Sequence, residues 1–240
     1  MEGRQAVAEL LRAGRRRVHQ VFLSEAVAPH DRLEEIADLA SAAGVTVRRV
    51  SRDRIEEMAR SEAPQGVVAL AAPVRPSQLD ELVLAADPFL VVLDGVTDPH
   101  NLGAVMRSAV CAGATGLVLG RHRSAPLSPA AVKAAAGAVE HLPVAVVPGI
   151  PAALKTLAER GIWTVGFDAA GPSRLWELGV LTEGVAVVLG AEGRGLSPLT
   201  RSRCEVLAAI PMSGPLGSLN VSAAAALACF EVARRRSRAI

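Results

Sequence analysis

The second half of the chain carries strand-length runs that are apolar from end to end: "FLVVLDG" (89–95), "TGLVLG" (115–120), "LPVAVVP" (142–148), "IWTVGFD" (162–168), "GVAVVLG" (184–190) and "EVLAAIP" (205–211). A strand with one wet face alternates apolar and polar residues, so runs without alternation must be buried on both faces. Stretches of helical periodicity lie between or after them, at 101–113, 128–138, 150–161 and from about residue 220 onward. Buried strands alternating with helices predict an α/β fold with a parallel sheet covered on both sides. In such sheets ligands bind beyond the carboxyl ends of the strands. The loops after strands are therefore where function is sought.

The first 72 residues alternate on a smaller scale. A helix in "GRQAVAELLRAG" ends at Gly14, "VHQVFL" (18–23) is a strand, residues 30–44 a helix and "VTVRRV" (45–50) a strand. Ser51 caps a short helix, and "GVVALAA" (66–72) is a further strand. "PVRPSQ" (73–78) has two prolines and no periodicity and reads as a linker, with a helix at 79–86 leading into the larger unit. The expected organisation is 1–72, a linker and leading helix at 73–86, and 87–240.

Composition removes several classes. Aromatics are 2% of 240 residues and Tyr is absent, so little is available for a sheet that stacks bases on aromatic rings. The net charge is only +2. Local basic clusters at 12–17 and 234–238 read either as solvated helix ends or as nucleic-acid contacts. Three cysteines without CxxC spacing suggest reduced thiols and a cytoplasmic setting, and the histidines form no metal-binding cluster. No apolar run reaches the length of a membrane span, and the polar start reads as a helix rather than a leader.

Three strand-end loops are unusual. In "DGVTDPHNLGAVMRSA" (94–109), Asn101 reads as a helix cap or a site residue, and Arg107 lies in an otherwise apolar helix that offers it no partner. "LGAEGRGLSP" (189–198) has three glycines in six residues around Glu192; the spacing is not GxGxxG and the loop does not follow the first strand. "IPMSGPLGSLNVS" (210–222) sets two prolines and two glycines before Ser218 and Asn220, more than a helix cap needs.

Together, in this order, "DPHNLGAVMRSA", "VVLGAEGRGLS" and "IPMSGPLGSLNVSAAAALACFEV" resemble the SpoU family of RNA 2′-O-ribose methyltransferases of the SPOUT superfamily. "EGRQAVAELL" and the 1–72 module resemble the substrate-binding domain of the branch acting on a guanosine of 23S rRNA. The resemblance implies a deep trefoil knot in the C-terminal domain, a homodimer, and S-adenosylmethionine held largely by backbone at Gly190, Ile210 and Leu219. It places Asn101, Arg107, Glu192, Ser218 and Asn220 in the active site, without a metal. Arg15, Arg16 and Arg17 are expected to contact RNA. An arginine is a poor base, so Arg107 is expected to bind the phosphate beside the target ribose and stabilise the alkoxide, with Asn101 orienting it and Glu192 either pairing with it or holding the ribose. Methylation of tRNA, or of an antibiotic-resistance site in rRNA, by the same chemistry stays open, as does a non-catalytic RNA-binding ribosome-assembly factor.

Overall fold

A computed structural model describes residues 1–25, 31–60 and 63–237. His30, where a helix was expected to start, and Arg238 of the C-terminal basic cluster lie outside the described residues. The chain forms two compact units, Met1–Arg75 with Leu127–His141, and Pro76–Pro126 with Leu142–Ile240. Residues 127–141, which the sequence reading keeps within the larger unit, pack with the first.

The first unit is a three-stranded sheet, β2 (Val47–Val50), β1 (Val18–Ser24) and β3 (Val67–Ala71) in that spatial order, with helices α1 (Arg4–Ala13), α2 (Asp31–Ala42) and α3 (Arg52–Met58). Helix α1 buries Val7, Leu10 and Leu11 against Val21, Leu23 and Ile36, and ends at Gly14 in the left-handed conformation (φ 60). Ser51 caps α3 by accepting from the Arg54 amide, as expected.

The returning segment starts as helix α6 (Pro129–Ala134), four residues shorter at its end than the periodicity suggests. Ala136 and Gly137 turn left-handed there (φ 49 and 91). A Cβ on Gly137 would stand 2.5 Å from the Glu9 Cβ, so only glycine lets this turn lie on α1. The segment is held by an ion pair. Glu140, 2% exposed, takes both ends of the Arg16 guanidinium, whose third nitrogen donates to the Ala72 carbonyl at 2.6 Å.

The second unit is built on seven parallel strands in the order β6-β5-β4-β9-β7-β10-β8. They are β4 (Phe89–Asp94), β5 (Gly116–Gly120), β6 (Val144–Val147), β7 (Trp163–Phe167), β8 (Ser173–Arg174), β9 (Val185–Gly190) and β10 (Val206–Ala209). Leu90, Val92, Val118, Ala186 and Val188 pack under α7 (Ile150–Glu159), while Val91, Leu93, Val187 and Leu189 on the opposite face are equally buried. Both faces are thus covered, which is why these strands lack alternation. Helices α5 (Pro99–Cys111) and α9 (Val221–Ser237) pack together, and α9 lies against β9. Helix α4 stops after one turn (Leu79–Leu82), short of the expected 79–86, and α8 (Pro198–Arg203), capped by Ser197, was not foreseen.

The strand order positions the site. From β4 the chain moves outward through β5 and β6, then crosses back to β7 beyond β9. The reversal falls between β4 and β9, where Asp94 pairs with Gly190, so the loops after these two strands leave the sheet side by side.

Candidate active site

Helix α5 is capped not by Asn101 but by Asp98, whose carboxylate accepts from the His100 amide at 2.9 Å. That moves Asn101 into the first turn and frees its side chain. Its Nδ2 donates to Glu192 Oε2 at 3.4 Å, and its Oδ1 accepts from Asn220 Nδ2 at 3.0 Å. Asn220 in turn caps α9, its Oδ1 accepting from the Ser222 amide at 2.8 Å and the Ser222 hydroxyl at 2.6 Å. The three loops singled out in the sequence are thus tied by one hydrogen-bonded chain.

The direction of that chain is forced. A backbone N–H can only donate, so the Ser222 amide fixes which end of the Asn220 amide faces it. Asn220 Nδ2 then points at Asn101 and needs an acceptor there, which turns the Asn101 Nδ2 to Glu192. Every donor points toward the carboxylate of Glu192.

Glu192 stands on a loop built by close backbone approach. Ala191 and Gly195 exchange backbone hydrogen bonds of 3.1 and 2.8 Å, and a Cβ on Gly190 would fall 2.0 Å from the carbonyl carbon of Gly195. Gly190 is therefore required by the chain's own packing. The loop is pinned at its far end by Asp94, whose Oδ2 accepts from the Ser197 amide at 2.8 Å.

Beside this loop opens a cleft of about 320 Å³ lined by Phe167, Asp168, Gly190, Glu192, Ile210, Ser218 and Leu219, among others. Asp168 ends β7 as Asp94 ends β4. Its carboxyl is held below the usual range, first by the Ala170 amide and then by Arg201, which donates at 2.8 Å. Cys204 lies behind the cleft, its thiol pushed up to about 12 by burial and then by nearby Asp94, which makes it inert as a nucleophile. Residues 211–219 are exposed and make no hydrogen bonds among the described residues. Gly214 and Gly217 do not take a left-handed φ, and a Cβ on either would meet nothing within 4 Å, so the loop leaves backbone groups open along the cleft.

Of the expected site residues, Gly190, Glu192, Ile210, Ser218 and Leu219 line the cleft, and Asn101 and Asn220 join Glu192. Ser218 does not cap α9. Arg107 is exposed on α5 and has no hydrogen bond or ion pair among the described residues; Asn101 does not contact it, contrary to expectation, and of the two roles open to Glu192 the pairing with Arg107 is not made. In the first unit, Arg15 and Arg17 are exposed, whereas the guanidinium of Arg16 is taken by Glu140. The roles of Ser222, Asp94 and Asp168 were not foreseen. An Asp closing a buried strand is the signal that could have marked the last two.

A parallel sheet with its cleft beyond the carboxyl ends of β7, β9 and β10, next to the strand-order reversal, and no dinucleotide or phosphate-cradling glycine loop, defines an open α/β enzyme domain whose ligand is held by late strand-end loops. Comparison with known proteins gives the family. The sequence model of the SpoU rRNA methylase family matches residues 88–230, and that for RNA 2′-O ribose methyltransferase substrate binding matches residues 1–77. The chain belongs to the SpoU rRNA methylase family. It is 38% identical over 239 residues to the 23S rRNA (guanosine-2′-O-)-methyltransferase RlmB of Escherichia coli K12, with 98% of each chain covered. The RlmB of Pseudomonas syringae pv. tomato is 39% identical over 240 residues, covering 98% of this chain and 95% of that one. An AdoMet-bound rRNA methyltransferase from Sinorhizobium meliloti superposes with a TM-score of 0.78 at 27% identity, covering 98% and 86%. The AviRb methyltransferase of Streptomyces viridochromogenes, at 24% identity and a TM-score of 0.83 over 99% and 90%, shares the fold.

Proposed function

We propose that the protein transfers a methyl group from S-adenosylmethionine to the ribose 2′-hydroxyl of a guanosine in 23S rRNA, with the 1–72 module holding the RNA. The observation that carries this reading is the directed chain Ser222–Asn220–Asn101–Glu192, which sets an oriented carboxylate at the mouth of the cleft. The full-length similarity to two guanosine-2′-O-methyltransferases supports the target.

The cleft fits the cofactor. Phe167, Ile210 and Leu219 offer apolar walls for an adenine, the unpaired backbone of 211–219 offers donors and acceptors, and Gly190 keeps the floor free of side chains. Bound there, S-adenosylmethionine supplies an electrophilic methyl group on a sulfonium. The chain's residues do the rest. Glu192 positions the ribose by accepting a hydrogen bond, its own orientation fixed by Asn101. Arg107, with no partner among the described residues, binds the phosphate next to that ribose, and its positive charge lowers the energy of the forming alkoxide. Arg107 cannot itself take the proton. The phosphate oxygen or a water accepts it.

The same reading includes a knotted C-terminal half in which the 190–197 and 210–220 loops are the tied segments. It also includes a homodimer. Leu227 and Phe230, 40% and 51% exposed, lie one turn apart on the free face of α9, an apolar strip that a second copy would cover. Among the described residues no helix is long and apolar enough to cross a membrane, and no group of three or more His, Cys, Asp or Glu residues could hold a metal ion. The test is transfer from labelled S-adenosylmethionine to rRNA, with the modified ribose mapped. Wild type should label one 23S guanosine, and Arg107→Ala should not, while binding cofactor within a few-fold of wild type. Normal turnover by Arg107→Ala would remove that residue from the mechanism; labelling of tRNA alone would replace the target.

A further inference from the structure

Beyond β5 the chain carries three consecutive basic residues between two anchored points. The Arg121 amide donates to the Val147 carbonyl at 2.7 Å, and the amide of buried Ala125 donates to the Val96 carbonyl at 2.7 Å. Between them Arg121, His122 and Arg123 are exposed, and no side chain of the three has a hydrogen bond or ion pair among the described residues.

Two further features mark this loop. Arg123 has φ 54, a conformation that a non-glycine residue keeps only where its surroundings impose it. The other two such residues among those described have visible reasons. Gln65 accepts from Arg4 through both its side chain and its carbonyl, and the Ala136 amide donates to Lys133 in a helix-ending turn. Arg123 has no such reason among the described residues. Next to it, the Ser124 hydroxyl is enclosed and has no hydrogen-bond partner among the described residues. Enclosed hydroxyls in folded proteins are nearly always partnered.

The location matters. β5 runs beside β4, with Leu119 opposite Leu93, and Val96 belongs to the loop that leads to Asn101. The basic loop therefore stands at the same strand-end edge as Glu192, on the other side of β4 from β9. None of its residues lines the cleft, so the cofactor does not account for them. Two guanidiniums and an imidazole, with no aromatic ring and no bonded carboxylate, suit the oxygens of a phosphodiester rather than a base.

We infer that Arg121 and Arg123 form a phosphate-binding station for the RNA backbone flanking the target nucleotide. This rests on the RNA methyltransferase reading above. The test is filter binding of full-length protein to an rRNA fragment across a salt series, comparing wild type, Arg121→Ala/Arg123→Ala and Arg121→Lys/Arg123→Lys. Loss of two phosphate contacts should weaken binding by about tenfold or more at moderate salt and flatten the log K against log salt slope by about 1.5. The lysine pair should keep most of the slope, and affinity for S-adenosylmethionine alone should be unchanged in all three. An unaltered slope in the alanine pair, or weaker binding with the slope intact, overturns the station. So does weaker capture of an acidic protein with RNA affinity intact, which would assign the loop to a protein partner. Failure of wild type to bind RNA while it binds cofactor would overturn the methyltransferase reading, and the station with it.

Discussion

Replacing Asn220 by Asp reverses the hydrogen-bonded chain without weakening the fold. The cap on α9 survives: a carboxylate oxygen at this position accepts from the Ser222 amide and hydroxyl as Asn220 Oδ1 does at 2.8 and 2.6 Å, and its charge faces the positive end of a 17-residue helix. The melting temperature should therefore hold or rise slightly. What is lost is the donor aimed at Asn101, 3.0 Å away. Asn101 must then turn its own Nδ2 to the introduced carboxylate, which points its Oδ1 at Glu192, and the 3.4 Å donor–acceptor contact becomes acceptor against acceptor. A hydrogen bond to a charged group is worth about 1.5–3 kcal/mol, and the length and exposure of this one place it near the lower end. At about 1.4 kcal/mol per decade, methyl transfer should fall by roughly tenfold or somewhat more. Single-turnover transfer from labelled S-adenosylmethionine at saturating RNA reads this directly. Full activity in Asn220→Asp would refute the claim that the chain orients Glu192. A melting temperature several degrees lower would refute the cap argument. Ser222→Ala is the milder companion: it keeps the amide that fixes the direction and should lose little activity.

Arg16→Ala leaves the Glu140 carboxylate buried and unpaired, which should destabilise the protein by about 3–5 kcal/mol in urea unfolding, while Arg16→Met with Glu140→Leu should recover most of that loss. Cys111 is exposed, whereas burial pushes Cys204 and Cys229 up to about 12, so a thiol reagent at neutral pH should titrate one fast equivalent in the native protein and all three after denaturation. The Asp168 carboxyl is held below its ordinary value, so its contribution to stability is complete above about pH 4 and is lost as pH falls through the lower folded value. Asp168→Asn should abolish that part of the acid dependence and leave stability below about pH 4 less dependent on pH than in wild type.

The parallel sheet was legible because burial on both faces leaves no polar alternation, and each such strand is found within one or two residues of its expected place. Errors cluster where tertiary contact overrode local pattern. Helix α6 reads as continuing to 138, but Gly137 lies against Glu9 of α1, a neighbour far away in sequence that no local window contains. Arg16 reads as one of three equivalent cations; only folding brings Glu140 to it, while Arg15 and Arg17 stay exposed.

The same distinction separates the parts of the site. The loops carrying Gly190, Glu192, Ser218 and Leu219 stood out because glycine and proline density between buried elements has no purely local use, and the family resemblance singled out the residues within them. The partners of those residues were not legible. Asn101 reads equally well as a cap, and the difference was decided by Asp98 three residues earlier, which takes the cap and releases Asn101 to Glu192 and Asn220 across 91 and 119 residues. Arg107 was expected to need a partner, a carboxylate or a phosphate, because it lies on an otherwise apolar helix. The fold supplies none among the described residues, so the need persists in the finished structure. The basic loop at Arg121 and Arg123 stands in the same condition. Both sets of unpaired cations belong to the unit that carries the cleft, and both become intelligible if the missing acceptors are phosphates. A protein with a net charge of only +2 can then grip a polyanion by leaving the right few arginines unpartnered rather than by being basic overall.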